Sequence, residues 1–151
     1  MKSVSPVNKA FQNQLAPRRL KLLSIVIPCF NEQDCLDDLY RALSETMEKM
    51  SEGRVEFVFV DDGSKDKTAQ ILIRLQREDP RVRAILLSRN FGHQIAVTAG
   101  IEHAAGDAVV VIDADLQDPP EIILTMVERW KAGVDVAYGV REQRDGESAF
   151  K

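Results

Sequence analysis

From Leu22 onward, apolar positions alternate between short continuous runs and longer stretches with helical spacing. Leu22 to Ile27 is an apolar, β-branched run that predicts a buried strand closed by Pro28. Leu36, Leu39, Leu43, Met47 and Met50 then recur at helical spacing. They predict an amphipathic helix over Gln33 to Met50, ended by Gly53. Val55 to Val60 reads as a second buried strand, with Asp61-Asp62-Gly63-Ser64 as its turn. Ala69, Leu72, Ile73 and Leu75 mark a second helix, and Val82 to Leu87 a third strand. A third helix is expected after Asn90-Phe91-Gly92, running to about Ala104, followed by a strand over Ala108 to Ile112. Asp118-Pro119-Pro120-Glu121 reads as the start of a fourth helix reaching about Lys131, and Val134 to Val140 as a fifth strand.

Strand and helix alternate throughout, and the strands are continuous apolar runs. That combination predicts an α/β fold: a mostly parallel sheet with helices on both faces. Ligands of such sheets bind beyond the carboxyl ends of the strands. Acidic or polar groups follow three of the expected strands: Asn31-Glu32, Asp61-Asp62 and Asp113-Ala114-Asp115. Met1 to Arg19 has no sustained period and reads as a loose, solvated tail. Its Lys2, Lys9, Arg18 and Arg19, with the adjacent Lys21, could touch anionic lipid. The expected organisation is a tail over 1–20 and one domain over 21–151.

Composition narrows the class. Apolar residues make up 44% of the 151, enough for a core, and the net charge of −4 argues against a nucleic-acid partner. The two cysteines, Cys29 and Cys35, are too few for a disulfide framework and lack metal-site spacing. No apolar run approaches the ~20 residues of a membrane span, and the first twenty residues lack a signal-peptide core. The sequence therefore reads as cytosol-facing, and it leaves a homo-oligomer open.

The chemistry lies in the strand-end clusters. Asp113 and Asp115 are two apart, so in extended chain their carboxylates point the same way and can meet one hard cation, Mg²⁺ or Mn²⁺. Such an ion neutralises a diphosphate leaving group. Gln117, from the same loop, is a candidate third oxygen ligand. A carboxylate at Asp61 or Asp62 can accept from a ribose hydroxyl or a base N–H. Ordinary turn chemistry, with Ser64 or Asp66 capping the next helix, accounts for the same residues. Asp118 fits an N-cap, Pro119 a first helical position and Glu121 the return half of a capping box. Gly92 precedes a helix, where backbone N–H groups can face phosphate. His93 is either close to a ligand or a helix-start histidine without chemistry, and His103 reads as surface. Arg141 and Arg144 could grip phosphate oxygens or form a solvated charge run. No G-x-G-x-x-G and no Walker motif is present, which disfavours dehydrogenases and P-loop enzymes.

Ser24-Ile25-Val26-Ile27-Pro28-Cys29-Phe30-Asn31-Glu32, Val60-Asp61-Asp62-Gly63-Ser64 and Asp113-Ala114-Asp115-Leu116-Gln117-Asp118-Pro119-Pro120-Glu121 occur in that order. Together they resemble the inverting family 2 glycosyltransferases with a GT-A fold. Within that family the chain looks like the polyprenyl-phosphate glycosyltransferases, the dolichol-phosphate mannose synthases and bactoprenol-phosphate glucosyltransferases. Ser88-Arg89-Asn90-Phe91-Gly92-His93-Gln94 and the late Arg141, Arg144, Gly146, Glu147 and Ser148 are similar to the bacterial branch. The likeness covers about Leu22 to Lys151. It implies that Pro28, Asn31 and Glu32 line a nucleotide pocket and that Asp61 and Asp62, with Ser64 nearby, hold base and ribose. It also implies that Asp113, Asp115 and Gln117 hold the metal and the donor diphosphate, and that Arg141 and Arg144 meet a phosphate. Members of this family usually continue into interface helices and, in the bacterial branch, two transmembrane helices. The sequence is therefore expected to be a catalytic domain truncated at its C-terminus, working at the cytosolic face of the cell membrane when complete.

The implied reaction transfers a sugar, UDP-glucose being the first choice of donor, to a polyprenyl phosphate. A phosphate monoester is already largely ionised at pH 7, its second pKa being ~6 by analogy with phosphoserine, so no strong general base is needed. A metal-dependent phosphohydrolase would usually carry a nucleophilic aspartate after the first strand, where this chain has Pro28-Cys29-Phe30-Asn31-Glu32. A nucleotide-sugar-binding module without transfer activity is the other alternative.

Overall fold

The computed structural model describes residues 2–4 and 16–141. Strands β1 (Lys2–Val4) and β2 (Leu22–Cys29) come first, then helix α1 (Leu36–Met47), strand β3 (Arg54–Asp61) and helix α2 (Thr68–Glu78). Strand β4 (Val82–Leu86), helix α3 (His93–His103), strand β5 (Ala108–Val111), helix α4 (Ile122–Lys131) and strand β6 (Gly139–Arg141) complete the order. Four strands form one parallel sheet in the order β4-β3-β2-β5. The central strands β2 and β3 are in register from Leu22–Arg54 to Cys29–Asp61, so their carboxyl ends are level.

Alternation along the strands divides the core between the two faces. Leu23, Ile25, Ile27, Phe57 and Phe59 are buried with Leu36, Leu39 and Leu43 of α1, Leu72 and Leu75 of α2, and Ile123 and Val127 of α4. Each fully buried Leu, Ile or Phe side chain contributes roughly 1.5–3 kcal/mol, so α1 is held mainly by its apolar stripe. Val26, Val58 and Val60 face the other way, onto Ala96 and Ala99 of α3. That helix sits close to the sheet: a Cβ on Gly100 would lie 2.3 Å from Val26 Cγ1. Helices thus cover both faces, as the alternation of strand and helix predicts.

Two boundaries differ from expectation. Helix α4 starts at Ile122, and its N-cap position, Glu121, makes no side-chain cap. Instead Ile122 and Ile123 donate backbone bonds to the carbonyls of Pro119 and Pro120. The N-cap position is therefore Glu121 and not Asp118, and a tight turn through the two prolines precedes the helix. The second difference is the fifth strand. Only Gly139–Arg141 is extended and paired, antiparallel with Lys2–Val4, and not added to the parallel sheet. Within the expected strand, Val136 and Tyr138 are 77% and 63% exposed, so this segment lacks the two-sided burial that holds a parallel strand. A 560 Å³ groove runs along β5 between α4 and residues 134–139, and none of Asp61, Asp62, Asp113 and Asp115 lines it.

The end of the expected tail is docked. Leu20 is buried in the core. Arg18 donates its backbone N–H to Lys131, stacks on Trp130 and pairs with Asp135. Among the described residues, no helix is long and apolar enough to cross a membrane.

Candidate functional site

The level carboxyl ends of β2 and β3, with the loops after β4 and β5, enclose a cleft of about 280 Å³. It is lined by Pro28, Cys29, Phe30 and Glu32 from the first loop, Asp62 from the second, and Asn90, Gly92, His93 and Ala96 from the third. Asp113, Ala114 and Asp115 close it. Ala114 is buried in the core while its neighbours are exposed. Burial of the middle residue turns both flanking carboxylates toward the cleft. Leu116 follows at a φ of 58°, a left-handed conformation that costs a side-chain-bearing residue about 1–2 kcal/mol. The turn tightens onto Asp115, whose Oδ1 accepts the Gln117 backbone N–H at 3.0 Å.

The first two loops are fastened to each other by hydrogen bonds. Asn31, also left-handed at 57°, donates its N–H to Ser64 Oγ at 2.8 Å, and its Oδ1 accepts from the Lys65 N–H at 2.9 Å. Glu32 N–H donates to Thr68 Oγ1, and Gln33 N–H to Asp66 Oδ2. Asp66 Oδ1 accepts the Thr68 N–H, so Asp66 holds the entry to α2. Desolvation is the largest single influence on the Asp66 carboxyl and raises it, but the bonds from the Thr68 hydroxyl and from the Thr68 and Gln33 N–H groups together outweigh it and keep the carboxyl below the usual aspartate range.

The third loop is clamped by Asp62, a residue only 3% exposed. Its Oδ1 accepts the Phe91 N–H at 2.8 Å and its Oδ2 the Gly92 N–H at 2.9 Å. Gly63 makes this approach possible: a Cβ there would lie 2.3 Å from the Arg89 carbonyl carbon, and its φ is +68°. The loop delivers His93 to the cleft wall, with Nε2 3.8 Å from Asp113 Oδ1.

The residues singled out in the sequence therefore separate. Pro28, Glu32, Asp62, Gly92, Asp113 and Asp115 line one cleft. Asn31, Asp61 and Ser64 are not among the lining residues and fasten the loops: Asp61 Oδ1 accepts the Ser64 N–H, and Ser64 Oγ accepts that of Asn31. Gly92 does not offer its own N–H to the cleft, because Asp62 takes it. Gln117 is not among the lining residues, Arg141 lies in β6, and Arg144 lies outside the described residues. Asn90 and His93 join the wall; His93 was visible as a residue after a glycine, but only the Asp62 clamp decides which way its loop turns.

The lining residues also bear on a metal. Glu32, Asp62, Asp113 and Asp115 are acidic, and none of the lining residues is Lys or Arg among the described residues. An anionic diphosphate is repelled by such a wall unless a cation intervenes. Two exposed carboxylates two residues apart suit Mg²⁺ or Mn²⁺, which commonly take one or two carboxylates, waters and substrate phosphates. No cluster of three or more His, Cys, Asp or Glu arranged around one point occurs among the described residues. The donor set thus fits an open site shared with a phosphate, not a closed protein cage.

Residues 24–151 match glycosyl transferase family 2. The chain belongs to that family. It is 54% identical over 128 residues to the uncharacterized glycosyltransferase YkcC of Bacillus subtilis, covering 85% of this chain and 39% of that protein. It is 42% identical over 129 residues to the bactoprenol glucosyl transferase of Shigella phage SfV, covering 85% of this chain and 42% of that one. This family 2 domain therefore spans about two fifths of the length of those relatives. Among solved structures, a mycobacterial protein aligns at 25% identity and a TM-score of 0.59, over 77% of this chain and 39% of that one. The Pyrobaculum calidifontis mannosyltransferase PcManGT, solved with GDP-Man and Mn²⁺, aligns at 24% identity and 0.54, over 70% of this chain and 35% of its own. These likenesses place the parallel sheet and its helices in the GT-A type of fold.

Proposed function

We propose that this family 2 domain binds a nucleotide-diphosphate sugar and transfers the sugar, with inversion, to a polyprenyl phosphate. The observation that carries the reading is the meeting of Asp62, Asp113 and Asp115 in one cleft at the ends of parallel strands. Support for the acceptor comes from relatives with different sugars. Beside the phage bactoprenol glucosyl transferase stands the undecaprenyl-phosphate 4-deoxy-4-formamido-L-arabinose transferase of Edwardsiella ictaluri, 43% identical over 128 residues. Both names carry a polyprenyl lipid, the second prints it as the phosphate, and the sugars differ. Glucose, from UDP-glucose, is our choice of sugar, because the glucosyl transferases recur among the relatives.

In this reading an oxygen of the lipid phosphate attacks the anomeric carbon, and the bond from that carbon to the donor diphosphate breaks. The nucleoside diphosphate leaves with the electron pair, and the new bond lies on the opposite face of the sugar. The attacking group is already anionic near pH 7, so the chain need not supply a strong base. Asp113 and Asp115 would hold Mg²⁺ or Mn²⁺, which when bound would offset the charge that develops on the leaving diphosphate. Pro28 and Glu32 would shape the nucleotide end, and Asp62 would fix the loop that faces it. Arg141 and Arg144 remain candidates for a phosphate contact. A lipid acceptor would place the reaction at the cytosolic face of the cell membrane.

The decisive experiment is Asp115→Ala in the full-length protein. Transfer from UDP-glucose to a polyprenyl phosphate should be abolished while the circular dichroism and melting temperature stay near wild type. Wild-type turnover by that variant would refute the reading.

A further inference from the structure

We propose that His93 is the residue of the cleft that touches the donor's diphosphate, donating a hydrogen bond from its imidazole to a phosphate oxygen. This rests on the nucleotide-sugar reading given above and adds to it a contact that the acidic residues cannot make. Three observations converge. Of the described residues that line the cleft, His93 is the only one able to carry positive charge; four others are carboxylates. Its Nε2 stands 3.8 Å from Asp113 Oδ1, within ion-pair range but longer than a hydrogen bond, so the ring lies beside the carboxylate without being bonded to it. The backbone that carries the residue is also fixed in place. Asp62 takes the N–H groups of the two preceding residues, Gly63 admits the backbone of Arg89 and Asn90, and Gly92 turns the chain at a φ of +103°.

Fixation matters because a contact that strengthens as charge develops must cost no reorganisation at that moment. The ring also leads helix α3, so the N-terminal half-charge of an eleven-residue helix adds to its field. Asp62, 3% exposed, is thus a positioning residue for His93.

The test compares uridine, UMP and UDP by titration calorimetry on wild type, His93→Ala and His93→Gln, with Mn²⁺ present, and Mn²⁺ alone in a separate arm. Wild type should bind UDP more tightly than uridine. His93→Ala should weaken UDP by about tenfold, as expected for one hydrogen bond to a charged group, and leave uridine and Mn²⁺ alone unchanged. His93→Gln, which keeps a donor, should recover much of the loss. An unchanged preference for UDP over uridine in His93→Ala would overturn the proposal. So would loss of Mn²⁺ binding without nucleotide, which would make His93 a metal ligand. Wild-type protein that binds neither UDP nor uridine would instead refute the nucleotide-sugar reading itself, and the proposal with it.

Discussion

The Cys35 thiol lies 3.2 Å from the carbonyl oxygen of Ala114, tying the loop after β2 to the residue between Asp113 and Asp115. The same sulfur lies 3.2 Å from Glu32 Oε2. Burial and the Glu32 carboxylate push the Cys35 thiol up to about 12. Burial also raises Cys29, whose sulfur is 3.5 Å from the Ile27 carbonyl. Both sulfurs therefore stay protonated at neutral pH, and Cys35 acts as a donor, not a nucleophile.

Thiol labelling follows from that. At pH 8 the native protein should react with a disulfide reagent at least ~100-fold more slowly than free cysteine, because the thiolate is the reacting form. In denaturant both cysteines should label promptly. Fast labelling of the native protein would contradict the protonated, hydrogen-bonded state of Cys35.

Removing the Asp62 carboxylate orphans two backbone N–H groups at once. Asp62→Ala should destabilise the domain by roughly 2–4 kcal/mol in urea unfolding, given charge-assisted bonds at a buried position. Amide exchange at Phe91 and Gly92 should accelerate more than exchange in β2. Equal protection of those two amides in the variant would show that the clamp does not hold the loop.

Gly63 and Gly92 both have positive φ, yet their surroundings differ. A Cβ on Gly63 meets the Arg89 and Asn90 backbone at 2.3–2.5 Å, whereas one on Gly92 meets nothing within 4 Å. Gly92, at φ 103° and ψ 154°, lies in a region essentially reserved for glycine, so Gly92→Ala should cost the backbone strain alone, about 1–3 kcal/mol. Gly63→Ala should cost clearly more and should displace the Asn90 loop. Comparable melting temperatures for the two variants would rule out the close approach.

At the far end of the sheet, Arg81 donates to both Asp79 oxygens and Tyr40 donates to Oδ2 at 2.6 Å. The Arg81 guanidinium is the main cause holding the Asp79 carboxyl at about 2, below its ordinary 3.8. The folded state therefore favours the ionised form, and the stability this adds is present above 3.8 and lost as pH falls through about 2. Asp79→Asn should cost roughly 2 kcal/mol at pH 7, and the gap to wild type should shrink below half by about pH 2.5. A gap that stays constant with pH would remove Arg81 as its source.

The run from Leu22 to Ile27, the helical spacing of Leu36, Leu39 and Leu43, and the acidic groups after three of the strands were enough to read a parallel α/β sheet and the edge where its candidate site lies. These signals are local: burial on both faces makes a strand continuously apolar, and a strand end is marked by polar residues next in sequence. Tertiary structure decided the rest, because it depends on which distant groups meet. Nothing near Asp62 in sequence says that its oxygens face Phe91 and Gly92, and nothing near His93 says that it looks across at Asp113. Val134 to Val140 shows the converse: an apolar pattern alone does not make a strand of the parallel sheet, since pairing needs a neighbour in register, and the short stretch Gly139–Arg141 finds its partner in Lys2–Val4.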